Sequence, residues 1–175
     1  MIPSLNNGGA RVAKSSSSDL LRDPIPSPQS AYENDYYSWA LDQARLIREG
    51  RVGEADLVNI AEELVDLGRS EYKELRSALA RIIQHLLKWD FQTDRRSPSW
   101  KNSIQVHRVH ARQTLQENPG LRHKLEEIVA GAYELGVAFA VEDTGLAHRA
   151  FPSSCPYTFD AIMTRDVGLE EASAT

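Results

Sequence analysis

The sequence is short of most features that announce a particular chemistry. A single cysteine, Cys155, in 175 residues excludes an internal disulfide framework and a cysteine-rich zinc site. No apolar run approaches the roughly 18–20 residues a membrane-spanning helix needs, so no membrane partner is expected. There is no glycine-rich phosphate loop, no Gly-x-Ser-x-Gly elbow and no His-Glu-x-x-His zinc motif, so no cofactor and no metal is read from motifs. Apolar–polar alternation of useful length is missing too, which argues against a sheet. What is present, 41% hydrophobic and 26% charged residues, is the balance of an ordinary globular chain. The length suits one domain with tails.

Residues 1–31 hold Gly8-Gly9, the serine run 15–18 and prolines 24, 26 and 28, with scattered apolar residues. Such a segment cannot offset its conformational entropy by burial, which predicts a disordered tail. It has no apolar stretch of the length a secretory signal requires. Residues 165–175 read as a second flexible tail, leaving 32–164 as a single helical domain.

The periodicity within that domain is helical throughout. Tyr36, Trp39, Ala40, Gln43, Leu46 and Ile47 share a face of a first helix, with Asn34 or Asp35 as N-cap and Gly50 as its stop. Leu57, Ile60, Leu64 and Leu67 begin a second stripe, resumed after Gly68 by Leu75, Ala78, Leu79, Ile82, Ile83, Leu86 and Trp89. No proline interrupts 54–90, which predicts one helix of about 54 Å with a weak point at Gly68. Its two halves are expected to pack against different partners. Ser97-Pro98 and Asn118-Pro119 each pair a cap with proline at the first helical position. They open a third helix carrying Trp100, Ile104, His107, Ala111 and Leu115, and a fourth carrying Leu121, Leu125, Ile128, Ala132, Leu135 and Phe139 until Gly145. A last short helix is expected from Cys155-Pro156 to Met163. The fold class is therefore all-α: an antiparallel helical bundle of four main helices, with a long second helix and a short C-terminal one.

Several strings resemble the bacterial domain-of-unknown-function 29 family. They are Asp35-Tyr36-Tyr37-x-Trp39, Ala61-Glu62-Glu63-Leu64-x-Asp66-Leu67-Gly68, His85-Leu86-Leu87-Lys88-Trp89, Ser99-Trp100, Glu142-Asp143-Thr144-Gly145-Leu146, Phe151-Pro152 and Cys155-Pro156-Tyr157. The resemblance spans residues 32–163 and implies a helical, cytoplasmic protein with no established activity. Two positions depart from it: at His107 the family usually carries a glutamine-like residue, and at His110 an apolar one.

Candidate site residues fall into small groups. His85, His107 and His110 with Glu62, Glu63 or Glu142 have the donor types of a bundle metal site, but the Glu-x-x-His spacing of such sites is absent, and no metal is assigned. Glu62 and Asp66 share a helix face as like charges, for which Lys88 or Arg108 of a neighbouring helix is the expected partner. His85, Lys88 and Trp89 sit in one turn, where they hold an anion or, more plainly, lay the lysine stem over an aromatic ring. Cys155, with no base identified beside it, is read as a small buried residue.

Charge is unevenly spread. The net −5 divides into +1 over residues 1–31, −5 over 32–80, +6 over 81–124 and −7 over 125–175. The basic block offers Lys88, Arg95, Arg96 and Arg108 beside Trp89 and Trp100, either to acidic helices of the same bundle or to an external partner. The reading is a non-enzymatic interaction module binding a protein, itself or another, with homodimerisation through the long helix and nucleic acid through 81–124 as forms it takes. The alternative is a small metal-dependent or acid–base enzyme using Glu62, Glu63, His85 and Lys88.

Overall fold

The computed structural model describes residues 28–168. Expectations for residues 1–27 and 169–175, most of both tails, lie outside the described residues. Six α-helices and no strand occur among the described residues: α1 (Pro28–Asn34), α2 (Tyr36–Arg48), α3 (Leu57–Phe91), α4 (Pro98–Glu117), α5 (Leu125–Thr144) and α6 (Phe159–Thr164). The fold is an all-α helical bundle, and the chain divides into two compact units, residues 1–60 and 61–175.

In the first unit, Asp35 separates two helices, α1 and α2. Its carboxylate accepts the Ser38 N–H at 3.0 Å and so caps α2. The α1 helix was hidden by the proline-rich composition before it; Pro28 stands at its first position, where a missing N–H costs nothing. Trp39 packs against Tyr32 and Tyr36, with ring centroids 4.8 and 5.6 Å away. Gly50, at φ 74°, ends the turn after α2. Of the expected α2 face, Trp39, Gln43 and Leu46 are buried, whereas Tyr36 and Ile47 are exposed. Gln43 accepts the Asp56 N–H at 2.8 Å, and Asp56 in turn caps α3 through Asn59.

The second unit is organised by α3, one continuous helix of 35 residues and about 52 Å. Gly68 does not break it. Leu75, Leu79, Ile82, Ile83, Leu86 and Leu87 are fully buried, against Ile104 and Ala111 of α4, Ile128, Ala132, Val137 and Ala140 of α5, and Ile162 of α6. The α4–α5 connection lies beside α3 at residues 71–72: Asn118 donates to Glu71 at 2.8 Å and Tyr72 to Glu127 at 3.0 Å. Sixteen residues further along both helices, Lys88 meets Asp143, so α3 and α5 run parallel and α4 antiparallel to both. Gly136 permits this close approach, since a Cβ there would lie 2.9 Å from Ile83 Cγ2 and 3.0 Å from the Ala80 carbonyl.

Two expected helix starts are displaced. The chain after Asn118 first makes a tight 3₁₀ segment, Pro119–Lys124, because Gly120 weakens an α-helical turn there. The last helix starts at Phe159, not Pro156, because the Thr158 hydroxyl accepts the Ala161 N–H at 3.1 Å and fixes the cap. Residues 165–168, read with the tail, are tied to the bundle. Val167 is buried, and Arg165 clamps Asp90 through two hydrogen bonds of 2.8 and 2.6 Å.

Candidate functional site

Two features stand apart from ordinary bundle packing, a buried polar cluster at one end of α3 and an open apolar stripe at the other. The cluster gathers residues from three helices. Helical spacing brings Gln84 and Lys88 to one face of α3, and both donate to the same oxygen of Asp143 on α5, at 2.7 and 2.6 Å. The Lys88 ammonium lies 4.6 Å from the ring centroid of Trp100 on α4, a favourable cation–aromatic contact in a desolvated place. Arg81 donates to Gln84 at 3.1 Å and stacks over Phe139 at 4.0 Å, extending the network outward. The hydrogen bond from Lys88 holds the Asp143 carboxyl below the usual carboxylate range. His85 is adjacent; its Nδ1 is buried without a hydrogen-bond partner, and burial, then Lys88, pushes its pKa down to about 4. The imidazole is neutral at pH 7, and the network beside it joins α3 to α5 by hydrogen bonds and α3 to α4 through the Lys88–Trp100 contact.

Arg108 and Lys88 do not serve Glu62 and Asp66 as expected. Arg108 is buried and donates to the carbonyls of Ile162 and Arg165, both at 2.8 Å, satisfying acceptors left open at the end of α6. Asp66 pairs with Arg69 one turn away instead, at 2.9 Å. Glu62 and Glu63 lie 23 and 22 residues from His85 on a continuous helix, about 33 Å away, so the structure does not bring these carboxylates to the histidine and lysine. The rings of His107 and His110 are nearly perpendicular, edge to face, with centroids 5.8 Å apart. No group of three or more metal-ligating side chains with metal-site geometry occurs among the described residues.

The remaining predicted residues are divided between interior and surface. Trp89 is core, and Arg96 donates to its carbonyl at 3.0 Å while lying over its ring. Trp100 is half-buried and Arg95 exposed. Asp143, Gln84, Asp90 and Arg165 escaped sequence reasoning. Only Asp143 had a signal, its place in the string Glu142–Leu146. Asp90 is held below the carboxylate range, against the effect of its burial, by Arg165 and by Tyr157, whose hydroxyl donates to it at 2.7 Å.

The second feature is the N-terminal part of α3. Beyond the α4–α5 connection, Leu57, Val58, Leu64, Val65 and Leu67 are between 52% and 71% exposed. Leu57, Ile60, Leu64 and Leu67 follow a 3-4-3 spacing, two heptads of an apolar seam. The seam runs in line with the buried stripe 75, 78, 82, 86 and 89 of the same helix, and Glu71, bonded to Asn118, sits where the two meet.

A model of the family described as Domain of unknown function DUF29 matches residues 31–167. No curated protein and no solved structure matches the chain.

Proposed function

We propose that this chain, which belongs to the DUF29 family, is a non-enzymatic interaction module that docks a second copy of itself along residues 57–67 of α3. The supporting observation is the exposed two-heptad seam. In an antiparallel pair related by a two-fold axis, Leu57 faces the partner's Leu67 and Ile60 faces the partner's Leu64, and the same layers repeat on the other side of the axis. Such a surface is self-complementary, as an isologous interface requires. Glu62 and Asp66 project from the opposite face of the helix, so neither lies in the seam.

The magnitude is that of a weak dimer. Completing the burial of six half-exposed leucines contributes roughly 5–10 kcal/mol, comparable with the association cost of about 4–15 kcal/mol. At the favourable end of both ranges the net is about 6 kcal/mol, which corresponds to a dissociation constant of tens of micromolar. Light scattering of the wild-type chain at tens to 100 micromolar gives a mass between monomer and dimer that rises with concentration, and Leu64→Lys/Leu67→Lys gives a monomer of unchanged helicity. A monomeric wild type at 100 micromolar, or a double variant that still dimerises, overturns the proposal.

A further inference from the structure

A cavity of about 650 Å³ in the second unit lies between the first half of α5 and residues 153–159, away from both features above. Its volume is that of a small-molecule site. Leu125, Val129 and Tyr133 form one wall, and Tyr157 and Phe159 belong to the other. The polar groups of Tyr133, Tyr157 and Cys155 are already committed, and the hydroxyls of Ser153 and Ser154 lie at the exposed edge. The Tyr133 hydroxyl donates to the Pro152 carbonyl, the Tyr157 hydroxyl to Asp90, and the Cys155 thiol to the Tyr157 carbonyl. What Leu125, Val129, Tyr133 and Phe159 offer a ligand is apolar surface.

The rim is different. Glu126 and Glu134 border the cavity, both are exposed, and neither is ion-paired among the described residues. Two helical turns separate them, about 12 Å. No basic side chain lines the cavity, and residues 125–175 carry a net −7. An apolar body fits the walls, and a positive end is what two uncompensated carboxylates attract.

We infer that this cleft binds a small organic cation, an ammonium group on an aromatic or alkyl body. The body lies against Val129, Tyr133 and Phe159, and the ammonium lies between Glu126 and Glu134. The probe is 4-phenylbutylamine, with 4-phenylbutyrate as the charge-reversed control, titrated into ¹⁵N-labelled full-length protein and followed by NMR. The amine is expected to shift the amides of residues 125–134 and 153–159 saturably at millimolar concentration, and the acid to leave them unmoved. Glu126→Gln/Glu134→Gln, two changes at exposed positions, weakens amine binding at least fivefold. Three results overturn the inference: no saturable shift at these amides, equal binding of amine and acid, or unchanged amine affinity in the double variant.

Discussion

His85 makes the fold sensitive to acid above the range in which its carboxylates titrate. Its pKa is pushed from 6.5 to about 4 by burial, with Lys88 the next contributor; His107 and Arg81 act in the same direction and Asp143 opposes them. In the unfolded chain the ring titrates near 6.5. Between these values the unfolded chain binds a proton that the folded one refuses, so stability falls as pH drops from 6.5 and levels off below about 4. A difference of about 2.5 pH units at 1.36 kcal/mol each sets a ceiling of about 3 kcal/mol, and partial solvent access to the ring reduces this to about 2 kcal/mol.

The assay is urea unfolding at half-unit steps from pH 7.5 to 4, on the wild type and on His85→Leu. Asp90 and Asp143 have pKa values below the usual range, so their contributions are lost at lower pH and are common to both proteins. The difference between the two curves isolates His85. The wild type is expected to lose about 2 kcal/mol relative to the variant between pH 7 and 4.5, with unchanged dependence on urea. Parallel curves over that interval would show that the imidazole is protonated in the native state and refute the reasoning.

Asp143→Ala leaves the buried Lys88 ammonium without its counter-charge and costs about 1–3 kcal/mol, reduced from the value for a fully buried pair because Asp143 is partly exposed. Adding Lys88→Met restores most of that loss in urea unfolding; a double variant less stable than Asp143→Ala alone contradicts this account. Gly136→Ala drives a methyl into Ile83 and the Ala80 carbonyl and lowers stability by about 1–3 kcal/mol. Gly68→Ala, with nothing within 4 Å of the new methyl in the middle of α3, raises it by about 0.5–1 kcal/mol, and thermal unfolding of the two variants should show these opposite signs.

What could be read in the sequence follows from the range of the forces involved. Asp35, Ser97-Pro98 and Gly145 were legible because a cap or a left-handed stop is decided within four residues. Helix α1 was missed because composition averaged over 31 residues outweighed one proline at a first helical position. The starts at Pro119 and Pro156 were misplaced because proline marks a permitted start, while Gly120 and the Thr158 hydroxyl select another. Periodicity showed which face of each helix is apolar, but not which residue of a distant helix meets it. Lys88 and Asp143 are 55 residues apart and Asp90 and Arg165 are 75 apart, and nothing local in either partner names the other.

The same distinction explains the uneven charge. Lys88 of the basic segment closes on Asp143 of the acidic one, and Arg108 is spent on the backbone at the end of α6. Part of the +6 of residues 81–124 is therefore internal, serving to lock helices rather than to meet a partner. Over 57–67, α3 leaves open an apolar seam. Its stripe continues without a phase change from the buried positions 75–89 back to 57–67, so the sequence pattern makes no difference between the half that is covered and the half that is not. Glu71 makes that difference. A charged residue at a seam position fixes register in paired helices at some cost in stability. Here it is held by Asn118, at the connection between α4 and α5, at 2.8 Å. In the proposed dimer a second helix on 57–67 would not slide past Glu71 without burying that carboxylate. That charge is what would set the end of the proposed dimer's seam.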